Sequence, residues 1–343
     1  MKKLMTIIAV LLMFAMILSA CGGAGNTSGD KKEDTTTTAP QQGTTDKTTE
    51  EKDEPAKNYR MALVVKNLTN PYFVTLADGA KKAAEELGID LDVQATNVDT
   101  EIEAQIQILD ALLTQNLDAI LVIPLNNTAV VPWVKRANEA GVPVINVDTA
   151  IDEEEMKKQG ASIISKLTTN NVEAGEEAAR AIIKALDGKG KVAMIEGTAG
   201  ATTAEDRKRG FYSVMESEGK GIEIVASQDG KYNRNEGYTI CTSMLAAHPD
   251  LDAIFAANDE MALGAIAAIE EAGLIGKIHV VGVNFSAEIQ EKMKEGKCLG
   301  SVNQDPAWLG YKGVYVAYDY VEGKPVEYTY ISESKMMYKE DVE

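Results

Sequence analysis

The chain has 343 residues, enough for about two domains at roughly 150 residues each. Hydrophobic residues make up 45% and charged residues 25%, an ordinary globular balance that excludes wholesale disorder. The formal net charge of -19 argues against nucleic acid as a partner, and two histidines with three cysteines are too few for a His- or Cys-built metal centre.

Lys2 and Lys3 open the chain, Leu4 to Leu18 is an uncharged apolar run, and small Ser19 and Ala20 follow. This is the layout of an export signal over residues 1–20, too short in its apolar run for a spanning helix. Leu18-Ser19-Ala20-Cys21 resembles a bacterial lipobox, which implies cleavage before Cys21 and a lipid anchor on it. From 22 to 57 come nine threonines, many charges and nothing aliphatic larger than alanine, so the stretch reads as a disordered tether. As a random coil it spans about 33 Å. Signal and tether carry nearly balanced charge, so the acidity belongs to the remainder, where it serves solubility.

From residue 58 strands and helices alternate. Met61–Val65 is a continuous apolar run, as in a strand covered on both faces. Asn70 and Pro71 suit a helix N-cap and first position. Phe73, Ala77, Ala80, Ala84 and Leu87 form one stripe, and Gly88 ends the helix. Strands are expected at 89–94, 119–123, 142–147, 191–195, 222–226, 253–256, 279–283, 299–302 and 326–331. Helices are expected at 101–115, 127–140, 171–187, 203–217, 233–247, 259–272, 286–295 and 306–321. Such alternation predicts parallel α/β sheets with right-handed crossovers, and the number of units suits two doubly wound lobes. Ligands of such sheets bind beyond the carboxyl ends of the strands. The polar residues there include Lys66, Asp148, Glu196, Asn258, Asn284 and Gln304. Cys241 and Cys298 read as buried free thiols, although an exported protein would allow them to pair.

Most chemistries find no support. Seven Gly-Lys pairs occur, none followed by Ser or Thr, so there is no Walker A loop. Neither a G-x-G-x-x-G after a strand nor a G-x-S-x-G elbow is present. His248 and His279 read as structural or solvated, and no spacing brings Asp148 and Glu196 together as a catalytic pair. The expectation is a binding protein with no cofactor. Carboxylate, amide and cationic side chains with flat aromatics suit a neutral polyol, whose hydroxyls donate and accept and whose C–H faces stack on rings. Tyr72 and Phe73 stand at a helix entrance and Tyr232 in a post-strand loop, where core packing gives it less reason to be.

Asn70-Pro71-Tyr72-Phe73, Val144-Ile145-Asn146-Val147-Asp148, Ala256-Ala257-Asn258-Asp259 and Asn303-Gln304-Asp305-Pro306 together resemble the ribose-type periplasmic sugar-binding proteins. These are type I solute-binding proteins of ABC importers. The resemblance runs in order through nearly all of 59–338. The Lys66-containing first loop, the segment 151–160 and residues 192–200 are most similar to D-allose-binding members. The resemblance implies two Rossmann-like lobes, 58–168 plus 304–332 and 169–303 plus 333–343. Three crossovers would join them near 167–170, 302–305 and 331–334. It places sugar contacts on Lys66, Asn70, Tyr72, Phe73, Asp148, Arg207, Tyr232, Asn258, Asn284 and Gln304. A monomer delivering a monosaccharide to an ABC permease is expected; the alternative is a sensory protein presenting its ligand to a chemoreceptor or histidine kinase. Two positions depart from the family pattern. Thr149 stands where ribose binders carry Arg, and Asn284-Phe285 where the family carries Asp and Gly.

Overall fold

The structure is a computed structural model that describes residues 58–98 and 100–342. The expected signal, the Cys21 anchor and the tether lie outside these residues. Strand and helix alternate from the start: β1 (Arg60–Val65), α1 (Pro71–Leu87), β2 (Asp90–Ala95), α2 (Ile102–Leu112), β3 (Ala119–Val122), α3 (Val131–Glu139), β4 (Val144–Val147), α4 (Glu153–Gln159), β5 (Ser165–Thr169) and α5 (Asn171–Ala185). There follow β6 (Lys189–Glu196), α6 (Thr202–Ser217), β7 (Gly221–Asp229), α7 (Arg234–Ala247), β8 (Ala253–Ala256), α8 (Asp259–Glu271), β9 (His279–Val283), α9 (Ala287–Lys294), β10 (Gly300–Asn303), α10 (Pro306–Val321), β11 (Thr329–Ser332) and β12 (Lys335–Tyr338).

The described residues form two six-stranded sheets, ordered β11-β5-β4-β3-β1-β2 and β12-β10-β9-β8-β6-β7. All pairings are parallel except β12 with β10. Their sandwiching by helices is visible in β1. Met61, Leu63 and Val65 enter one apolar cluster while Ala62 and Val64 enter another, as the two-residue period of a doubly covered strand requires. The second sheet packs with α5, α6, α7 and α8 in one continuous core. The chain passes between the sheets three times: from β5 to α5, from β10 to α10, and from β11 to β12.

Helix starts and stops follow from local chemistry. The Asn70 side chain accepts from the Tyr72 N–H, Pro71 occupies the first helical turn, and Gly88 closes α1 in the left-handed region at φ 65°. Three helix pairs cross so closely that glycines face carbonyl oxygens of the partner helix. They are Gly79 and Gly310 between α1 and α10, Gly175 and Gly210 between α5 and α6, and Gly237 and Gly264 between α7 and α8. A Cβ at any of the six would collide with backbone, and these pairs carry the helices that bear the site.

Three elements have no strong signal in the sequence. In β5 the inward face is Ser165, Leu167 and Thr169, so hydroxyls replace the expected apolar run. Those hydroxyls are satisfied by β11 and its approach: Ser165 Oγ donates to the Glu327 carbonyl at 2.9 Å, and Thr169 Oγ1 meets Ser332 Oγ at 2.9 Å. Helix α4 buries only Met156, too little for a periodic stripe; its Asp152 cap and acidic first turn form it instead. Strand β12 is a four-residue edge. Helix α3 starts at Val131 rather than 127, because Asn126 folds its side chain onto the Thr128 and Ala129 N–H groups in a turn. Cys241 and Cys298 are buried and unpaired, and burial raises the Cys241 thiol to about 12. Gly175→Ala is expected to destabilise the chain by about 1–3 kcal/mol through overpacking of α5 on α6. A urea-unfolding midpoint unchanged from wild type would contradict the close crossing.

Candidate functional site

The carboxyl ends of both sheets face one cavity of about 340 Å³ including its mouth. Nine of the ten residues singled out above line it, joined by Thr203.

From the first sheet come Lys66, just after β1, and Asp148, just after β4. Lys66 is only 4% exposed, and its Nζ lies 5.9 Å from the centre of the Phe73 ring. Among the described residues it has no hydrogen-bond or ion-pair acceptor. Asp148 takes φ 62°, a left-handed conformation that Asp tolerates better than most residues. Its backbone is clamped by β5: its N–H donates to the Leu167 carbonyl at 2.7 Å, and Thr168 Oγ1 donates to its carbonyl at 3.0 Å. Both carboxylate oxygens accept, Oδ1 from the Tyr72 hydroxyl at 2.7 Å and Oδ2 from Thr149 Oγ1 at 2.9 Å. The departure at Thr149 thus orients Asp148 and adds no charge. Burial, reinforced by the Asp148 carboxylate, pushes the Tyr72 phenol well above its ordinary range, so it stays a donor. Tyr72 and Phe73 meet edge to face at 5.2 Å. The core-packing reading of Phe73 and the cavity reading both hold: it belongs to the apolar cluster of its lobe and lines the cavity. Asn70 spends its oxygen on the helix cap, which leaves its NH2 available.

From the second sheet's side come Arg207, Tyr232, Asn258 and Asn284. Arg207 is only 4% exposed. Its Nε donates to Asn171 Oδ1 at 2.9 Å, its Nη1 to the Ala257 carbonyl at 2.5 Å and its Nη2 to Gln304 Oε1 at 2.9 Å. The guanidinium also lies 5.9 Å from the Tyr232 ring centre. Tyr232 sits at φ 56°, and its hydroxyl bonds Thr203 Oγ1 at 3.0 Å. Gly197 is where a side chain would overlap that ring. Asn258 caps α8 through its oxygen and turns its NH2 to the Tyr232 carbonyl at 3.3 Å. Asn284 has φ 124° and Phe285 φ 58°. Side chains held in such sparsely populated backbone regions cluster at functional sites.

Gln304 is placed differently from the rest. It is fully buried behind the cavity wall, with its oxygen on Arg207 and its Nε2 donating to Asn284 Oδ1 at 2.6 Å. It touches the cavity only through those two residues. Two partners escaped the sequence reading. Thr203 stands one helical turn before Arg207 on the same face of α6, and that i, i+4 spacing is the signal by which it could have been found. Asn171, which holds Arg207, gave no signal because the α5–α6 crossing alone brings it there.

Behind the Asn284 loop, Asp259 is 1% exposed. It accepts from the Ser286 N–H at 2.6 Å and from Ser301 Oγ at 2.7 Å. Burial pushes its carboxyl up to about 7.

Two doubly wound lobes whose strand ends meet at one polar cavity define a bilobal binding protein. Residues 61–325 match the periplasmic binding protein domain, and the chain belongs to that family. It is 33% identical over 259 residues to the D-allose-binding periplasmic protein of Escherichia coli K12, covering 75% of this chain and 83% of that protein. It is 32% identical over 273 residues to the ribose import binding protein of Bacillus subtilis 168, covering 80% and 85%. A crystal structure of an ABC transporter periplasmic solute-binding protein from Actinobacillus succinogenes with bound D-allose superposes with a TM-score of 0.79. That pair is 30% identical, over 83% of this chain and 99% of the other. These relatives are solute-binding proteins, not enzymes.

The raised Asp259 carboxyl makes stability depend on pH. An unfolded Asp ionises near 4, whereas this one does so near 7 when folded. Between those values the folded chain binds more protons, so the Asp259 contribution to stability falls as pH rises from about 4 to about 7 and is level above. Asp259→Asn should flatten that limb, measured as urea midpoints against pH. Equal slopes in wild type and variant would mean an ordinary carboxyl.

Proposed function

We propose that this protein is an extracytoplasmic receptor, anchored through a lipid on Cys21, that captures a monosaccharide in the cavity and delivers it to an ABC importer. The observation that carries the reading is the composition of the cavity wall. One oriented carboxylate, two buried cations, three amides and three aromatic rings meet at the strand ends of two lobes. A carboxylate receives paired hydroxyl hydrogens, Arg, Lys and amide N–H groups donate to sugar oxygens, and the rings cover C–H faces. No group in this set is arranged as a nucleophile with its base. The names of the relatives, D-allose-binding and ribose import proteins, support both the ligand class and the importer. The Leu18-Ser19-Ala20-Cys21 motif supports the anchor, and among the described residues no helix is long and apolar enough to cross a membrane.

Ligand contacts from both lobes favour the closed arrangement, with the three crossing segments as hinges. A sugar of about a dozen heavy atoms reaches micromolar affinity, about -8 kcal/mol, well within the small-ligand ceiling. Calorimetry of the full-length chain against pentoses, hexoses, polyols and sugar acids is expected to find at least one ligand of this order. Asp148→Ala should abolish its binding while leaving the thermal unfolding transition cooperative. Silence across the whole panel, or wild-type affinity in Asp148→Ala, would reject the proposed site. Loss of uptake of that ligand in a deletion strain separates import from sensing.

A further inference from the structure

The charges at the cavity do not balance. Lys66 and Arg207 are both 4% exposed, and Asp148 is the only carboxylate among the described residues lining the cavity. Arg207 is held entirely by neutral acceptors, the Asn171 and Gln304 amide oxygens and the Ala257 carbonyl. Among the described residues neither cation has a carboxylate within ion-pair distance. Asp259, next to Asn258, does not line the cavity, and its oxygens are occupied by Ser286 and Ser301. A buried cation without a counter-charge carries a desolvation penalty, which an anion arriving with the ligand would offset.

A relay of amides adds to the imbalance. Arginine only donates, so Gln304 must turn its carbonyl oxygen to Arg207 and its NH2 to Asn284. Asn284 must then meet Gln304 with its own oxygen. The orientation of both amides, which atom positions alone leave ambiguous, is thereby dictated by one guanidinium. What Asn284 keeps for a ligand is its NH2, a pure donor. Asn70 likewise has its oxygen engaged by the helix cap, with its NH2 left for a ligand. Donors outnumber acceptors in the wall. A neutral sugar brings one hydrogen per hydroxyl that needs an acceptor, and it finds chiefly Asp148.

We propose that the preferred ligand is a sugar acid, a polyhydroxylated monocarboxylate such as a hexuronate or aldonate. Its carboxylate meets the N–H groups of Arg207 and Asn284, and its hydroxyls go to Asp148. This rests on the reading of the cavity as a monosaccharide site. The test is calorimetric titration of the full-length chain with matched pairs: D-galactose and D-galacturonate, D-glucose and D-glucuronate, D-allose and D-allonate, D-ribose and D-ribonate. At least one acid is expected to bind about tenfold or more tighter than its neutral partner, the worth of one charge-assisted hydrogen bond. Asn284→Asp, which puts an acceptor and a negative charge at that point, should remove the preference or reverse it. If neutral members bind as tightly as their acids or tighter, the sugar-acid assignment fails while sugar capture stands. An acid preference unchanged in Asn284→Asp would overturn the role of Asn284. No heat from any member would overturn sugar capture and this inference together.

Discussion

The site is organised around one buried guanidinium. Arg207 reaches from α6 to Asn171 at the start of α5, to the carbonyl after β8 and to Gln304 in the segment between β10 and α10. A charge this deeply buried must be hydrogen-bonded to be tolerated, and each bond also fixes the partner. Gln304 is oriented by it and in turn orients Asn284. The Tyr232 ring lies against it. One donor-only side chain thus sets the polarity of half the cavity wall and ties a second-lobe helix to a segment that links the lobes.

The opposite wall is built on the same rule with the sign reversed. Asp148 is an acceptor held by two hydroxyls, one from its own turn and one from α1 across the sheet end. Its left-handed backbone is sustained by β5, whose carbonyl and threonine clamp it from both sides. Tyr232, Asn284 and Phe285 also sit at positive φ. Strain of about 1–3 kcal/mol per residue persists only where surroundings over-determine it. Here the glycine-to-carbonyl helix crossings and the buried Asp259 behind the Asn284 loop supply that rigidity.

Legibility followed chemistry closely. Strands β1, β3, β4, β8 and β9 stood out because each is a short apolar run buried on both faces. Helix α1 was marked by its cap, its proline and its terminal glycine. Strand β5 was hidden because hydroxyls carry its buried face, and α4 because a single methionine anchors it. Position after a strand pointed to Lys66, Asp148, Asn258, Asn284 and Gln304, position at a helix entrance or in a loop pointed to Tyr72, Phe73 and Tyr232, and resemblance to a family added Asn70 and Arg207. None of these signals distinguished Gln304 behind the wall from the residues that form it.

The amino-acid sequence by itself determined the alternation of strand and helix, the two-lobe fold and the polar, aromatic character of the strand ends. These depend on periodicity, caps and residue type, which are local. Only the tertiary structure decided which donors are satisfied within the protein and which remain for a ligand. That outcome depends on Asn171, Ala257 and Gln304 converging on one arginine from distant segments, and on the direction in which a donor-only group forces two amides to point.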